Sequence, residues 1–179
     1  MALTATMHTF AIELADVDRA VYEKLDLRVA RQPSETAEYM LSRVLAYCLE
    51  YTEGISLTEG VAAGDEPAVL VRDLTGRITA WIEVGAPDAD RIHRASKLAA
   101  RVAVYTHREI RMVLDQLSAK PIHRAGEIPI YTFDPGFFEQ VTAMIARRNT
   151  LALTITERQL YLDIDGRTLN TAIEQHRLS

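Results

Sequence analysis

The chain has 179 residues, of which 48% are hydrophobic and 25% are charged, and its formal net charge is −5. This length and composition predict a single domain, residues 1–179, with one core of ordinary size. The charge argues against a protein that binds nucleic acid tightly through phosphate contacts alone, because such proteins carry a basic face. A metal-dependent nuclease is not excluded, since its own acidic residues would lower the net charge.

Several features predict a cytoplasmic protein that is not attached to a membrane. No apolar run is long enough to span a bilayer, and residues 1–8 lack the basic start and apolar stretch of a signal peptide. The single cysteine, Cys48, lies among apolar residues of a predicted helix. We therefore expect a buried, reduced thiol at this position.

The first third of the chain predicts two strands and a long helix. Residues 4–14 and 24–29 alternate between polar and apolar side chains, as half-buried strands do. Ser34 is the expected N-cap of the helix. Glu38 lies on the apolar stripe of this helix, and Glu35 is expected to be solvated near its start.

An acidic hairpin follows the helix and a short strand at 55–61. If it folds about its turn, the numbers of facing residues sum to about 151, so Glu83 faces Ala68 and Glu66 faces Gly85. The carboxylates of Asp65, Glu66 and Glu83 are then expected at one end of the ribbon. The hairpin comprises a strand at 68–73, a turn at 74–77 and a return strand at 78–84.

The rest of the chain alternates helices and strands. Helices are predicted from residue 87, at 109–117 and at 135–147, and strands at 102–106, 128–133, 151–156 and 159–164. Together these elements predict an α/β (α+β) fold with a mixed β-sheet flanked by helices.

The paired carboxylates predict a binding site for Mg²⁺ or Mn²⁺, because such cations bind one or two carboxylates together with substrate phosphates. Other interpretations remain open for each residue. Glu83 is also compatible with an exposed acid on an edge strand, and Asp65 and Glu66 with turn residues before a proline. Glu38 is also compatible with an acid that favours the helix dipole.

The order helix, strand, acidic hairpin, helix, strand resembles the common core of the PD-(D/E)xK nuclease superfamily, a restriction-endonuclease-like core. In that superfamily one hairpin strand carries an acid, the next carries a (D/E)-x-K motif, and the preceding helix often carries a glutamate. The resemblance implies that Asp65 is the first acid, Glu83 the second and Glu38 the helix glutamate. It also implies that Asp65 and Glu83 hold the metal.

The sequence departs from this motif two residues after Glu83, where Gly85 replaces the lysine. Some members of the superfamily supply this lysine from the following helix, and Lys97 is the only lysine placed to do so. Arg94 and Arg101, one turn to either side of it, are able to bind phosphate but are poor proton acceptors.

More narrowly, the chain resembles the YaeQ family of bacterial proteins, whose fold resembles a variant of the nuclease core. The resemblance runs nearly end to end. The segments that carry it are residues 2–6, 33–36, 64–67 and 81–88 and the closing hairpin.

Two main hypotheses for function follow. The first is a metal-dependent phosphodiesterase acting on nucleic acid, in which Asp65 and Glu83 hold the cation, Glu38 orients it and Lys97 stabilises the phosphate. The second is a catalytically inactive binding or regulatory module for a protein or a nucleic acid, which the missing lysine and the acidic chain favour. A purely structural adaptor also stays open. Additional candidates for the site are Glu35, Glu66 and Arg94.

Overall fold

The computed structural model describes residues 4–59 and 64–178. The helices are α1 (Ala37–Leu49), α2 (Ala89–Leu98), α3 (Ile110–Leu117) and α4 (Pro135–Met144). The strands are β1 (Thr6–Asp16), β2 (Val21–Arg31), β3 (Ile55–Leu57), β4 (Val69–Arg72), β5 (Ile78–Val84), β6 (Arg101–Thr106), β7 (Pro129–Thr132), β8 (Arg148–Thr156), β9 (Gln159–Ile164), β10 (Arg167–Ala172) and β11 (Glu174–Arg177).

The described strands form two mixed sheets. Sheet A has the order β10-β9-β8-β1-β2, and sheet B has the order β11-β7-β6-β5-β4-β3. The predicted mixed α/β class is therefore confirmed, but the strands form two sheets where the sequence predicted one. The additional strands β10 and β11 complete one edge of each sheet. Among the described residues no helix has the length and apolar character needed to cross a bilayer.

The long β1–β2 hairpin shows the predicted alternation. The two strands pair antiparallel from Thr6 opposite Arg31 to Asp16 opposite Val21. The inward residues Phe10, Ile12 and Leu14 are buried, and the residues between them are mostly exposed. One face of sheet A therefore lines the core and the other faces solvent.

Helix α1 lies between the two sheets. The inner face of sheet A, α1, α4 and one face of sheet B form one continuous core. From Met40 onward the predicted apolar stripe of α1 is buried, and so are Ser42, Arg43 and Ala46 on its other sides. The reason is that α1 contacts protein on more than one side. Cys48 is fully buried, as expected, and burial raises the pKa of its thiol to about 12.

The start of α1 differs from the prediction. Thr36, and not Ser34, caps the helix by accepting a hydrogen bond from the backbone of Tyr39. Glu35 therefore precedes the helix and turns inward, where Arg43 Nη1 donates to both of its carboxylate oxygens at 3.1 and 2.8 Å. The expectation of a solvated Glu35 was wrong, because its side chain is buried beside the equally buried Arg43.

Sheet B begins as an antiparallel meander of β3, β4 and β5 and continues with β6 and β7 parallel to β5. The predicted hairpin register is confirmed, since Val69 faces Ile82 and Val71 faces Ala80, with an irregularity before Arg72. The face of this sheet that carries Trp81 and Val104 packs against α2 and α3 in a second core. β5 is thus an interior strand covered on both faces.

Candidate functional site

Glu83 lies near the carboxyl end of β5, where the residue is buried with 6% exposure. Because side chains alternate along a strand, Glu83 and Trp81 point to the same face, towards α2. The indole Nε1 of Trp81 donates a hydrogen bond of 2.8 Å to Oε1 of Glu83. The interpretation of Glu83 as an exposed acid on an edge strand is therefore wrong, because β5 is interior and the carboxylate has internal partners.

Arg91 is the second partner of Glu83, and it was not among the residues predicted from the sequence. Asp88 caps α2 by accepting a hydrogen bond of 2.8 Å from the backbone N–H of Arg91, which places this arginine in the first turn. Its Nε then donates to Oε1 of Glu83 at 2.8 Å. The available signal was sequence spacing, since a cap at Asp88 puts residue 91 close to the end of β5.

The same guanidinium also holds the loop before β4. Its Nη1 donates to the main-chain carbonyl of Gly64 at 2.7 Å, and its Nη2 donates to the carbonyl of Glu66. Arg91 therefore joins the carboxyl end of β5, the start of α2 and the loop at 64–66 in one network.

The pKa of Glu83 is raised above its ordinary value, and burial is the largest cause. The charge of Arg91 and the hydrogen bonds from Arg91 and Trp81 oppose this effect without cancelling it. A buried carboxylate favours protonation unless its partners compensate fully. The network therefore compensates only in part for the loss of solvent at Glu83.

Gly85 turns the chain from β5 towards α2. Its φ of +84° lies in the left-handed region, which favours glycine. Its N–H donates to the carbonyl of Tyr105 at 3.0 Å, and a Cβ at this position would lie 3.3 Å from Cε2 of Tyr39. The backbone and the neighbouring ring together disfavour a lysine two residues after Glu83.

Helix α1 contributes Tyr39 and Glu38 to the same end of sheet B. Burial raises the pKa of Tyr39, and the nearby charge of Glu83 adds to this effect, so the phenol is neutral at physiological pH. Burial lowers the pKa of His107, Arg108 lowers it further, and Glu38 opposes both. Glu38 therefore interacts electrostatically with His107.

The other predicted site residues make no side-chain hydrogen bond or salt bridge to Glu83 within the described part of the chain. Asp65 and Glu66 are exposed, and it is the carbonyl of Glu66, not its carboxylate, that contacts Arg91. Lys97 is exposed in the last turn of α2, about 9 Å farther along the helix axis than Arg91. Arg94, one turn after Arg91, is also exposed.

The fit of these residues to a divalent cation can be judged from their contacts. Within residues 4–59 and 64–178, no group of three or more His, Cys, Asp or Glu side chains is arranged to hold a metal ion. Oε1 of Glu83 already accepts two hydrogen bonds, one of them from a cation. In this arrangement the residues do not fit a resident Mg²⁺ or Mn²⁺, and metal binding by Asp65 and Glu83 stays a prediction.

The fold and the site define an α/β protein with two mixed sheets and a buried glutamate–arginine pair at the carboxyl end of an interior strand. The family model described as "YaeQ protein" matches residues 1–173. The protein named "Uncharacterized protein YaeQ" of Escherichia coli (strain K12) is 34% identical over 171 residues, which are 94% of each chain. The chain belongs to the YaeQ family.

Solved structures of this family show the same fold. The crystal structure of the YaeQ protein from Pseudomonas syringae is 29% identical, with a TM-score of 0.87 over 98% of this chain and 96% of that one. The YaeQ protein from Xanthomonas axonopodis pv. citri is 24% identical and has a TM-score of 0.88 over 98% and 100% of the two chains. At this lower identity the second comparison supports the fold alone.

Proposed function

We propose that the protein is a non-catalytic binding module on a restriction-endonuclease-like core and that its partner is a protein. The observation that carries this proposal is the bonding of Arg91 to Glu83 and to two carbonyls of the loop at 64–66. The guanidinium supplies the positive charge that a metal would supply in a nuclease. It cannot activate a water molecule as a metal ion does.

The proposed scaffold rests on the order of elements around the site. Helix α1, the meander β3–β5, helix α2 and the parallel strand β6 follow the order of the nuclease core. Gly85, in its left-handed conformation against Tyr39, lacks the lysine of the motif. Both features favour a nuclease-like core that binds a partner but does not catalyse a reaction.

The proposed binding surface is the loop that Arg91 holds. Asp65 and Glu66 carry exposed carboxylates on this loop, and its main chain is fixed through Gly64 and Glu66. An ordered acidic loop loses little conformational entropy when a partner binds. Together with the net charge of −5, this favours a protein with a basic surface over a nucleic acid.

The test compares wild type with an Asp65→Asn/Glu66→Gln double variant and an Asp115→Asn control, which alters an exposed acid on α3. Affinity capture from a bacterial lysate, with quantitative mass spectrometry, should recover a protein with wild type and the control but not with the double variant. Equal recovery with all three proteins would contradict the proposed surface. If the captured material is lost after nuclease treatment, the partner is a nucleic acid and not a protein.

A metal-dependent phosphodiesterase acting on nucleic acid is the second candidate. The observation that favours it is the position of Glu83 at the carboxyl end of β5 beside the parallel β6, an edge where α/β sheets commonly bind ligands. In this candidate Asp65 and Glu83 would hold Mg²⁺ or Mn²⁺, with Glu38 and Lys97 in the supporting roles predicted from the sequence. The bound cation would polarise a phosphate and activate water.

Cleavage assays distinguish the two candidates. Single- and double-stranded DNA and RNA are incubated with wild type, Glu83→Gln and Lys97→Ala in Mg²⁺ or Mn²⁺. The binding module predicts no metal-dependent cleavage by any of the three. Cleavage by wild type that Glu83→Gln abolishes, and that Lys97→Ala weakens, would establish the phosphodiesterase instead. Under either function we expect a cytoplasmic protein, which the single buried thiol of Cys48 supports.

A further inference from the structure

A cavity lies at the opposite end of α1 from Glu83. Its volume is about 160 Å³, and its lining includes Asp18 and Arg158 at one end of sheet A, Glu50 after α1, and Arg101 and Tyr131 from sheet B. The 13 residues of α1 span about 20 Å, so this cavity is separate from the Glu83 network.

The hairpin turn between β8 and β9 places Arg158 at the cavity. Glu157 and Arg158 have φ values of +50° and +60°, the left-handed conformation that both residues of a two-residue type I′ hairpin turn adopt. Asp18 stabilises this turn, because its two carboxylate oxygens accept hydrogen bonds of 2.7 and 3.0 Å from the backbone N–H groups of these residues. The carbonyl of Arg158 accepts a further bond of 2.8 Å from Ile173.

The side chain of Arg158 is exposed, and no described residue forms a salt bridge with it. Its guanidinium carbon lies 5.9 Å from the ring centroid of Tyr131, within cation–π range. The ring of Tyr131 stacks on Tyr105 with a centroid distance of 4.7 Å. In the part of the chain that the structure describes, the Arg158 guanidinium makes no hydrogen bond or salt bridge.

The carboxylates of the cavity are already bound to other groups. Asp16 binds Arg19 at 2.7 Å. Glu50 accepts bonds of 2.6 and 2.9 Å from Arg101 and one of 2.7 Å from Tyr105. Asp18 is occupied by the two backbone N–H groups of the turn. Among the described residues no acid of this cavity forms a salt bridge with Arg158.

We propose that this cavity binds the oxyanion group, carboxylate or phosphate, of a small molecule. Arg158 supplies a guanidinium fork, which matches the two oxygens of such a group. Arg101 is itself paired with Glu50 and holds the ring beside Arg158, since its Nη2 donates to the Tyr131 hydroxyl at 3.4 Å. At about 30 Å³ per water molecule the cavity has room for roughly five waters, which an oxyanion group can replace.

The proposal does not depend on the function proposed for the Glu83 site. It is tested by NMR titration of the ¹⁵N-labelled protein with inorganic phosphate and, separately, with acetate, at constant ionic strength. We expect saturable shifts of the Arg158 Nε–H signal and of the backbone signals of the turn at 157–158. Saturation by phosphate alone identifies a phosphate site, saturation by acetate alone identifies a carboxylate site, and saturation by both identifies a general oxyanion site.

Variants separate this site from the rest of the surface. Arg158→Gln should weaken the affinity for the saturating probe at least tenfold, and Tyr131→Leu should weaken it in the same direction. The matched control is Arg148→Gln, which alters an exposed arginine at the start of β8, and it should leave the affinity unchanged, as should Glu83→Gln. Shifts that fail to saturate with either probe, or equal losses in Arg158→Gln and Arg148→Gln, would overturn the proposal.

Discussion

Arg91 Nε lies 2.8 Å from Oε1 of Glu83, and this pair joins the carboxyl end of β5 to the first turn of α2. The pair is largely removed from solvent, with side-chain exposures of 24% for Arg91 and 7% for Glu83. Removing one partner of such a pair leaves the other as a buried, uncompensated charge, which costs more than the pair itself contributes.

The first prediction is that Arg91→Ala destabilises the protein strongly. The loss should lie near the lower end of the range of about 3–5 kcal/mol for breaking a buried pair, because Arg91 is partly exposed. Urea denaturation measures the change in the free energy of unfolding. The control, Arg94→Ala, removes an exposed arginine one turn later and should change it by less than about 0.5 kcal/mol. Equal values for the two variants would contradict a structural role for the Arg91–Glu83 pair.

The second prediction concerns pH. Since the native pKa of Glu83 is raised above the ordinary 4.5, the native state holds this proton to higher pH than the unfolded chain does. The contribution of Glu83 to stability is therefore complete below the unfolded pKa and is lost as the pH rises through the native pKa. We expect the unfolding free energy of wild type, relative to Glu83→Gln, to fall as the pH rises from about 4 to about 7.

Denaturation of the two proteins in parallel at several pH values isolates this effect, because all other carboxylates are common to both. If the unfolding free energy of wild type, relative to Glu83→Gln, rises with pH instead, Arg91 and Trp81 lower the native pKa of Glu83 below that of the unfolded chain.

Local patterns in the sequence predict much of this fold. The alternation in β1 and β2 and the hairpin register in which Val69 faces Ile82 each depend on neighbouring residues or on one turn. The division into two sheets depends on long-range pairing, such as that of β1 with β8, residues about 140 positions apart. No local pattern encodes that pairing.

The candidate site was predictable only in part. The apolar residues on either side of Glu83 indicate a buried acid that needs a partner. They do not identify Arg91 as that partner, because Arg91 and Glu83 meet only once the chain turns at Gly85. The inward turn of Glu35 was missed for a similar reason, since its partner Arg43 lies on a helix face that becomes buried only between two sheets.

The third prediction tests the buried pair of Glu35 and Arg43. Arg43 also donates to the carbonyls of Ala30 and Thr58 at 3.3 and 2.7 Å, so it links β2 to the segment that follows β3. Glu35→Ala leaves the guanidinium without its counter-charge and should cost about 3–5 kcal/mol. The double variant Glu35→Leu/Arg43→Met removes both charges and should be more stable than Glu35→Ala in urea denaturation. A double variant that is less stable than the single would contradict this account of the pair.

The fourth prediction is that Gly85→Lys, which restores the motif lysine, destabilises the protein without creating nuclease activity. A left-handed backbone costs a non-glycine residue about 1–2 kcal/mol. Contact with Tyr39 adds to this cost. Gly166→Lys is the matched control, because Gly166 has a similar φ of +76° but no atom of the described residues within 4 Å of the point where a Cβ would lie.

Thermal or urea denaturation of the two lysine variants should show a larger loss for Gly85→Lys than for Gly166→Lys. Equal losses of stability would show that contact with Tyr39 does not add to the cost of Gly85→Lys. Metal-dependent cleavage of DNA or RNA by Gly85→Lys would show that the lysine alone was missing from a functional nuclease site.

The most direct test of the central claim, that Arg91 and not a metal ion binds Glu83, uses the indole N–H of Trp81. The chain contains one tryptophan, so this N–H gives a single assigned signal in a ¹H–¹⁵N spectrum, and it donates directly to Oε1 of Glu83. A Mn²⁺ ion on that carboxylate would broaden the signal strongly. We predict that Mn²⁺ leaves it as sharp in wild type as in Glu83→Gln. Selective broadening in wild type that Glu83→Gln abolishes would contradict the claim.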